Sequence, residues 1–404
     1  MPTSRSRLGV IFLTVFIDLL GFGIIIPILP FFVREFGVHG LGLGVLMSVF
    51  SATQFFGTAM LGRLSDRWGR RPVLLATMVI NIGGYLLFAF AGSYVALLVS
   101  RIVCGFAGGN IAVAQAYIAD VTPPAERSRG MGVIGAAFGL GFTLGPGLGG
   151  LAAHYGGPAA PGLAAAALSL ANIVLAYVIL KESLAPQHRR VGALLDFGHL
   201  GDALAHPRLR PLMAMWALIP LGFSAYTAVV QLWVTERLGW QAKDLGYFFV
   251  VVGMTAAVVQ GYAFGKLVRR FDERRLAQAG AFGMAVSIIV VPLLSTSAAL
   301  YAWTFVLAFS NSIAAPALSG LVSVYAGPAE QGTTLGAAQA LSALGRTTGP
   351  AGFGALYDVT APFVTFVAAG AVMLGAAAVG LRLQPVVHAV PTHPPPPPRT
   401  HTPS

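Results

Sequence analysis

Charged residues are scarce in this chain. Asp, Glu, Lys and Arg make up only 10% of its 404 residues, whereas soluble domains average about 25%. Hydrophobic residues make up 56%, and a soluble fold of this length could not keep so much apolar surface away from water. The composition therefore excludes a water-soluble globular protein, and lipid is the expected solvent for most of the chain.

Cysteine is nearly absent as well. The single Cys104 excludes intramolecular disulfides and thiolate metal clusters, and we interpret it as a small packing residue. No nucleophile–base arrangement or His/Cys cluster stands out, so the sequence predicts neither an enzyme nor a bound metal or cofactor. The stretch from Gly145 to Gly150 formally fits G-x-G-x-x-G. A dinucleotide site would need a preceding strand, and this stretch lies inside an apolar run that contains Pro146.

Long apolar runs are abundant instead. About 20 residues of helix cross a roughly 30 Å hydrocarbon core, and the continuous apolar character of these runs favours helices over barrel strands. The sequence predicts an all-α integral membrane protein with twelve transmembrane helices. The predicted spans are 8–33, 41–64, 72–93, 95–118, 128–154, 159–180, 209–235, 245–268, 275–296, 298–325, 332–357 and 360–382.

The basic residues indicate a topology. The chain has 25 Lys and Arg against 14 Asp and Glu, and most of the basic residues fall in alternate loops. Because Lys and Arg favour the cytoplasmic side, we expect both termini in the cytoplasm. The membrane that we expect the spans to cross is a bacterial-type inner membrane. We interpret the net charge of +11 as this topology signal and not as a nucleic-acid-binding surface.

Two parts of the chain repeat each other at an offset of about 204 residues. The stretch GRLSDRWGRR, which begins at Gly62, is echoed by GKLVRRFDERR, which begins at Gly265. PAER before the fifth run is echoed by PAEQ before the eleventh, and Gly145-Pro146 by Gly349-Pro350. A repeat of this kind indicates a duplicated unit.

The duplication predicts two pseudo-symmetric six-helix bundles. The first covers residues 1–183 and the second 207–383, with a cytoplasmic linker at 184–206. A Pro-rich tail at 384–404 cannot form a core and is expected to be disordered. Parallel repeats of six spans are a transporter architecture, in which the substrate site lies between the repeats.

Several motifs resemble those of one family. Gly62–Arg71 matches, at every defined position, the loop between spans two and three of the major facilitator superfamily. Gly132–Gly150 fits the fifth-span pattern G-x8-G-x3-G-P-x2-G-G of its proton-driven exporters. Asp18–Gly23 and Arg101–Gly109 are similar to their first and fourth spans. The chain thus resembles the twelve-span drug–proton antiporters of this family, and most of all the tetracycline-resistance-type exporters.

The resemblance implies a secondary active transporter. It would be a monomeric, proton-coupled antiporter that exports small amphiphilic compounds by alternating access, with protons, a small-molecule substrate and lipid as its partners. Two alternatives are an importer or facilitator of a sugar, organic acid or other metabolite, and a non-transporting sensor on the same scaffold. Tetracycline-type exporters have an aspartate before the span-three tyrosine, where this chain has Gly84 before Tyr85, which counts against tetracycline as a substrate.

The resemblance also implies that the loop after span two is a cytoplasmic latch between the halves. Its glycines permit a sharp turn, and Asp66 can interact with arginines and with a helix N-terminus of the opposite half. A topology anchor is the alternative, since it would explain the arginines alone. Asp120 is the expected partner of Arg70 or Arg71. The latch residues are Gly62, Asp66, Arg67, Gly69, Arg70, Arg71 and Asp120.

The fifth run is rich in glycine. Small residues at four-residue spacing let helix backbones approach closely, and a proline permits a bend. We therefore predict a bending point for a moving half, with close packing alone as the alternative. The residues of this motif are Gly132, Gly141, Gly145, Pro146, Gly149 and Gly150.

Three charged residues fall well inside predicted spans, away from the span ends. A charge at the bilayer centre costs about 2.5–3.5 kcal/mol on insertion scales, so Asp18, Arg101 and Arg346 are candidate functional groups. Estimated helix ends put Asp18 and Arg101 within about 5 Å in depth. Either Asp18 carries the transported proton beside Arg101, or the two form a fixed structural lock. Arg346 would bind an anionic substrate group or act as a counter-charge.

Polar and aromatic side chains within the spans are candidates for lining a substrate cavity. A lone Gln or Asn in a span is as often a contact between helices as a ligand group. The candidates are Gln54, Asn81, Asn110, Gln115, Tyr117, Tyr226, Gln231, Gln260, Asn311, Gln339 and Arg346.

Overall fold

The computed structural model describes residues 4–122, 127–184, 187, 206–326 and 331–383. Helices lie at all twelve predicted positions within these residues. Ten of these helices are long and apolar enough to cross a membrane. The helices at the fifth and eleventh positions begin directly after residues that the structure does not describe. They are not among the ten, so a total of twelve crossings remains a prediction. The predicted linker and tail lie mostly outside the described residues.

We number the helices α1–α12 in the order of the predicted spans. Three are composite: α1 (Ser4–Ile25, a 3-10 turn Ile26–Ile28, and Leu29–Glu35), α4 (Tyr94–Ala107 and Asn110–Val121) and α8 (Ala242–Val258, a π-helical turn Val259–Ala263, and Phe264–Arg270). The others are α2 (Gly40–Trp68), α3 (Arg70–Ala89), α5 (Arg127–Gly156), α6 (Ala160–Ile179), α7 (Arg210–Arg237), α9 (Glu273–Val290), α10 (Ser297–Tyr325), α11 (Gln331–Val359) and α12 (Pro362–Gly380).

The breaks in α1 and α4 have local causes. Pro27 lies in the 3-10 turn of α1, and a proline inside a helix cannot donate the hydrogen bond to the preceding turn. In α4, Gly108 and Gly109 separate the two helical pieces. A side chain at Gly109 would collide with the backbone of Gly57 in α2, so the break brings α4 close to α2.

The helix pairs follow a regular order. α1 packs on α5 and α7 packs on α11, while α3 packs on α6 and α9 packs on α12. α2 packs on α11 and α8 packs on α5. These last two pairs provide most of the contact between the first six helices and the last six.

The outer surface of the bundle is apolar. Large hydrophobic side chains are exposed on most helices, among them Phe90, Val178, Val258, Phe282 and Phe305. Soluble monomers rarely expose apolar patches on this scale, whereas a lipid environment imposes no such cost. Buried apolar clusters fill the interior of each part of the chain.

Candidate functional site

Glycines on α5 allow backbone contact with two neighbouring helices. A Cβ atom added at Gly141 would lie 2.7 Å from Cβ of Leu19 in α1, and one at Gly145 would lie 2.8 Å from O of Leu20. On another face of α5, Gly150 touches the backbone of Ala242 in α8. The close packing predicted for this glycine motif is therefore present. Pro146 does not interrupt the helix, and the bending role stays a prediction.

α11 makes the equivalent contacts on the other side of the bundle. A Cβ atom at Gly345 would lie 2.7 Å from O of Ala217 in α7. Gly354 touches the backbone of Gly40 in α2, and Gly44 touches that of Pro350. α5 and α11 thus each join one helix of their own repeat to one helix of the other repeat.

One end of the α2–α11 contact is also joined by hydrogen bonds. The carboxylate of Asp358 in α11 accepts from N of Gly40 and from N of Leu41, both at 2.7 Å. The N-cap residue of α2, His39, supplies no side-chain cap of its own, so the partner helix satisfies these donors. The backbone N–H of Ala351 donates to Oγ of Ser48 at 3.0 Å. We call this region, Gly40–Ser48 against Pro350–Asp358, the packed end.

Beyond the packed end, α2 and α11 enclose a cavity of about 800 Å³ with α1, α3 and α4. Its wall extends from Asp18 at mid-span to Gln115 and Leu335, toward the ends of the helices that adjoin the Gly62–Arg71 loop. Small-molecule sites in proteins typically measure about 300–1,000 Å³. The cavity is therefore large enough for a drug-sized compound.

Most of the predicted functional residues within the spans meet at this cavity. The predicted residues in its wall are Asp18, Gln54, Asn81, Arg101, Asn110, Gln115, Gln339 and Arg346. All come from α1, α2, α3, α4 and α11, so residues far apart in the sequence line one volume.

Five predicted lining residues lie outside this wall: Tyr117, Tyr226, Gln231, Gln260 and Asn311. The hydroxyl group of Tyr117 donates to O of Lys181 at 2.8 Å. Tyr226 is buried and its hydroxyl group lies 3.1 Å from that of Thr304. Gln231 is buried and donates to a carbonyl of its own helix. Tyr117 and Tyr226 thus join separate segments of the chain, as lone polar residues in spans often do. The hydrogen bond of Gln231 stays within its own helix. Gln260 is exposed on the π-helical turn, and Asn311 is half-buried.

Asp18 is buried at the cavity wall. Its Oδ2 accepts a hydrogen bond from Nδ2 of Asn110 at 2.5 Å. Its Oδ1 has no partner among the described residues. The predicted ion pair with Arg101 is not formed in this conformation. Among the ion pairs of the described residues, none joins a nitrogen of Arg101 to the Asp18 carboxylate within 4.0 Å.

Arg101 is held by other groups. Its Nη2 donates to Oγ of Ser100 at 3.3 Å. Its guanidinium lies 5.3 Å from the ring centre of Phe88 and 5.9 Å from that of Phe50. Arginine packs favourably against aromatic faces, so these contacts stabilise the guanidinium in its position. Arg101 is nonetheless part of the cavity wall.

The loop after α2 is bound within the first six helices. Gly69 turns the chain with a φ of 108°. Nη1 of Arg70 lies 2.6 Å from Oδ1 of Asp66, and its Nε lies 3.2 Å from Oδ2 of Asp120. The predicted contact between Asp120 and Arg70 is therefore present. The carboxylate of Glu182 accepts from N of Arg70 at 2.9 Å.

The other loop residues add little to this cluster. Nη2 of Arg71 donates to O of Tyr177 at 2.7 Å. Arg67 is exposed, and Gly62 packs near Ala112. Among the described residues, the contacts of Asp66 and Arg70 lie within the first repeat, so the latch to the opposite half is not engaged here and stays a prediction.

Some residues at these sites could not be singled out from the sequence. Tyr85 in α3, and Phe22, Phe50 and Phe55, line the cavity but look like ordinary apolar positions. Asp358 ends an apolar run, where acidic residues are common. Its contact with Gly40 spans 318 positions in the chain, and no local pattern signals such a contact.

The chain is similar to several known transporters. The family described as Major Facilitator Superfamily matches residues 11–350 and, in a second match, 257–404. Tetracycline resistance protein, class C, of Escherichia coli is 32% identical over 89% of this chain and 91% of its own length. Multidrug resistance protein 2 of Bacillus subtilis is 31% identical over 89% and 90%.

A solved structure extends the likeness to the fold. The crystal structure of the human organic anion transporter MFSD10 (TETRAN) superimposes with a TM-score of 0.70 and 25% identity, over 94% of this chain and 100% of that one. Together with apolar helices that enclose a cavity with charged and amide side chains in its wall, these matches describe a multi-pass membrane protein that moves small molecules. The chain belongs to the major facilitator superfamily.

Proposed function

We propose that this protein is a proton-coupled antiporter that exports small amphiphilic compounds by alternating access. The two moving units are 1–183 and 207–383, which cross a bacterial-type inner membrane twelve times with both termini in the cytoplasm. The observation that carries the proposal is the contrast along α2 and α11. They touch at the packed end and diverge around a cavity that contains an acidic residue.

This contrast supports a mechanism in which access alternates. A substrate can enter only where the helices diverge, and rocking of the two units would open the packed end and close the other. When the packed end opens, the opposite ends of the two units would come together, and Asp66, Gly69 and Arg70 would lie at that contact. In that state the loop would bind the opposite unit as the predicted latch.

Asp18 is the proposed proton carrier. It is the one carboxylate among the cavity-lining residues of the described chain. Burial disfavours the charged form of a carboxylate and a nearby positive charge favours it. Oδ1, which has no partner in the described chain, is the atom that can take the proton. Movement that changes the hydration of Asp18, or its distance from Arg101, would load and release that proton.

The relatives favour export. Two of them are named for resistance to tetracycline or to multiple drugs, and resistance of this kind is expected from a protein that expels its substrate. The human relative is named an organic anion transporter, which does not fix a direction. The experiment must therefore distinguish export of a drug-like compound from import of a metabolite.

The test is transport in proteoliposomes that contain the full-length protein. A substrate is first found with a drug-susceptibility panel in cells that express it. We expect a pH gradient to drive accumulation of this substrate in the direction opposite to proton flow. Asp18→Asn should lower this accumulation at least tenfold and retain exchange of substrate without a gradient, because the cavity is intact and only the proton site is lost.

A matched control is Glu35→Gln, which neutralises an exposed acid at the end of the same helix. It should transport like the unmodified protein. Accumulation by Asp18→Asn at the unmodified rate would remove Asp18 as the carrier. Accumulation in the same direction as proton flow would establish an importer.

A further inference from the structure

We propose that the cavity binds amphiphilic organic anions and that Arg346 contacts their acidic group. This inference rests on the proposed transport function and names its substrate class. It follows from the charge in the cavity, the setting of Arg346 and the difference between the two repeats.

The cavity has more positive than negative charge. Its charged lining residues in the described chain are Asp18, Arg101 and Arg346. The ion pairs of the described residues involve neither of these arginines. Two arginines and one carboxylate with no ion pair between them give the cavity a positive potential, which attracts anions. An anionic ligand would supply the missing negative charge, and protonation of Asp18 would increase the positive excess.

Of the two arginines, Arg346 is the one that a ligand can reach. It is exposed, whereas Arg101 is 2% exposed and packs against Phe50 and Phe88. Nη1 of Arg346 donates to Oγ of Ser342 at 2.5 Å, which orients the guanidinium from one side. A guanidinium carries five N–H donors in a planar fork that fits carboxylate, sulfonate or phosphate oxygens. Arg346 has no second hydrogen-bond partner among the described residues, so its remaining donors are available for such a group.

Arg346 is also specific to one repeat. Gly345-Arg346-Thr347 in α11 corresponds to Gly141-Phe142-Thr143 in α5, at the same offset as the other repeated motifs. A residue needed only for the shared helix packing would be expected in either copy. The arginine is therefore an addition to the duplicated scaffold. Because Arg346 lies in the cavity wall, we infer that its role is contact with a ligand.

The opposite wall of the cavity explains why the anion should be amphiphilic. The first repeat contributes the half-buried rings of Phe22 and Phe55 to the lining. Aromatic faces favour flat hydrophobic groups. A compound with an aromatic body and one acidic group could place the body against these rings and the acid at Arg346 across the cavity.

The test compares two dyes built on the same ring system. Carboxyfluorescein is an anionic xanthene and rhodamine methyl ester is a cationic one. Binding of each to the purified full-length protein is measured by fluorescence anisotropy. We expect the unmodified protein to bind carboxyfluorescein at least tenfold more tightly. Arg346→Gln should weaken binding of carboxyfluorescein about tenfold, or about 1.4 kcal/mol, and leave binding of the cation unchanged.

Two further variants sharpen the result. Arg346→Lys keeps the charge but loses the planar fork, so its affinity for the anion should lie between those of Arg346→Gln and the unmodified protein. Arg237→Gln removes the same charge at an exposed position at the end of α7, and it should bind both dyes normally. All variants must share the thermal unfolding midpoint of the unmodified protein.

Equal affinity for the two dyes, tighter binding of the cation, or an unchanged anion affinity in Arg346→Gln would overturn the proposal. Transport in proteoliposomes separates this failure from failure of the proposed function. Anion-selective binding without pH-driven transport would support the anion site and remove antiport. Proton-driven transport that prefers the cationic dye would retain antiport and remove the anion site.

Discussion

α5 and α11 hold equivalent places in the two repeats but differ in their charged residues. Both carry glycines that join a helix of their own repeat to a helix of the other repeat. Only α11 adds Arg346 in the cavity and Asp358 at the packed end, where α5 has Phe142 and His154 at the same offset. Backbone packing is thus common to α5 and α11, while the charged side chains at these two positions occur on α11 alone.

The largest expected effect comes from breaking the packing on one helix. Gly354→Val would push a side chain into the backbone of Gly40, and overpacking of this kind costs about 1–3 kcal/mol or more. We expect transport to fall more than tenfold, because the packed end could no longer close. The readout is substrate uptake into proteoliposomes.

The same helix offers the control for this change. A Cβ atom at Gly352 would meet nothing within 4 Å, so Gly352→Val should transport normally. In α5, Gly150→Val should resemble Gly354→Val because it meets the backbone of Ala242. Normal transport by Gly354→Val would show that contact at the packed end is not required.

A smaller effect is expected from the loop that differs between the repeats. Arg70 is 8% exposed and contacts both Asp66 and Asp120. Arg70→Gln should lower the free energy of unfolding by about 2 kcal/mol, as is typical for lost hydrogen bonds to charged groups. Thermal unfolding in detergent would measure this change. Arg269→Gln, at an exposed position in the second repeat, should have no effect, and equal effects would mean that the two loops are equivalent.

The smallest effect is expected at the packed end. Asp358→Asn keeps a hydrogen-bond acceptor for N of Gly40 but removes the negative charge at the N-terminus of α2. That charge is worth about 0.3–1 kcal/mol, so we expect a shift of about two- to fivefold toward conformations open at this end. His154→Asn, at the corresponding position of α5, should not shift the equilibrium.

Spin-label distances would report this shift. Labels at Phe90→Cys and Phe363→Cys lie at exposed positions near the packed end, at the end of α3 and the start of α12. The lone native thiol is removed by Cys104→Ser. An unchanged distance distribution in Asp358→Asn would show that the carboxylate does not help to hold this end closed.

The helices and the intramembrane charges were predictable from the sequence. The apolar run at 41–64 became Gly40–Trp68, because hydrophobic length decides where a helix can cross a bilayer. Asp18, Arg101 and Arg346 stood out because charge within a span is costly, and all three line the cavity.

The faces of the helices were less predictable. Gln231 and Tyr226 were predicted to line the cavity, yet both are buried within the second repeat. A span that is apolar on all sides carries no periodic signal of which face meets lipid, cavity or neighbouring helix. Contacts such as that of Asp358 with Gly40 depend on how distant segments pack, and no local pattern encodes them.

The positive excess of the cavity has an electrical consequence for the cycle. If an anion leaves the cell as a proton enters, each turnover is equivalent to two positive charges moving inward. A membrane potential of 100 mV, negative inside, contributes about 2.3 kcal/mol per charge. The membrane potential would then drive both the anion and the proton, and the exchange would continue even where the pH is equal on the two sides.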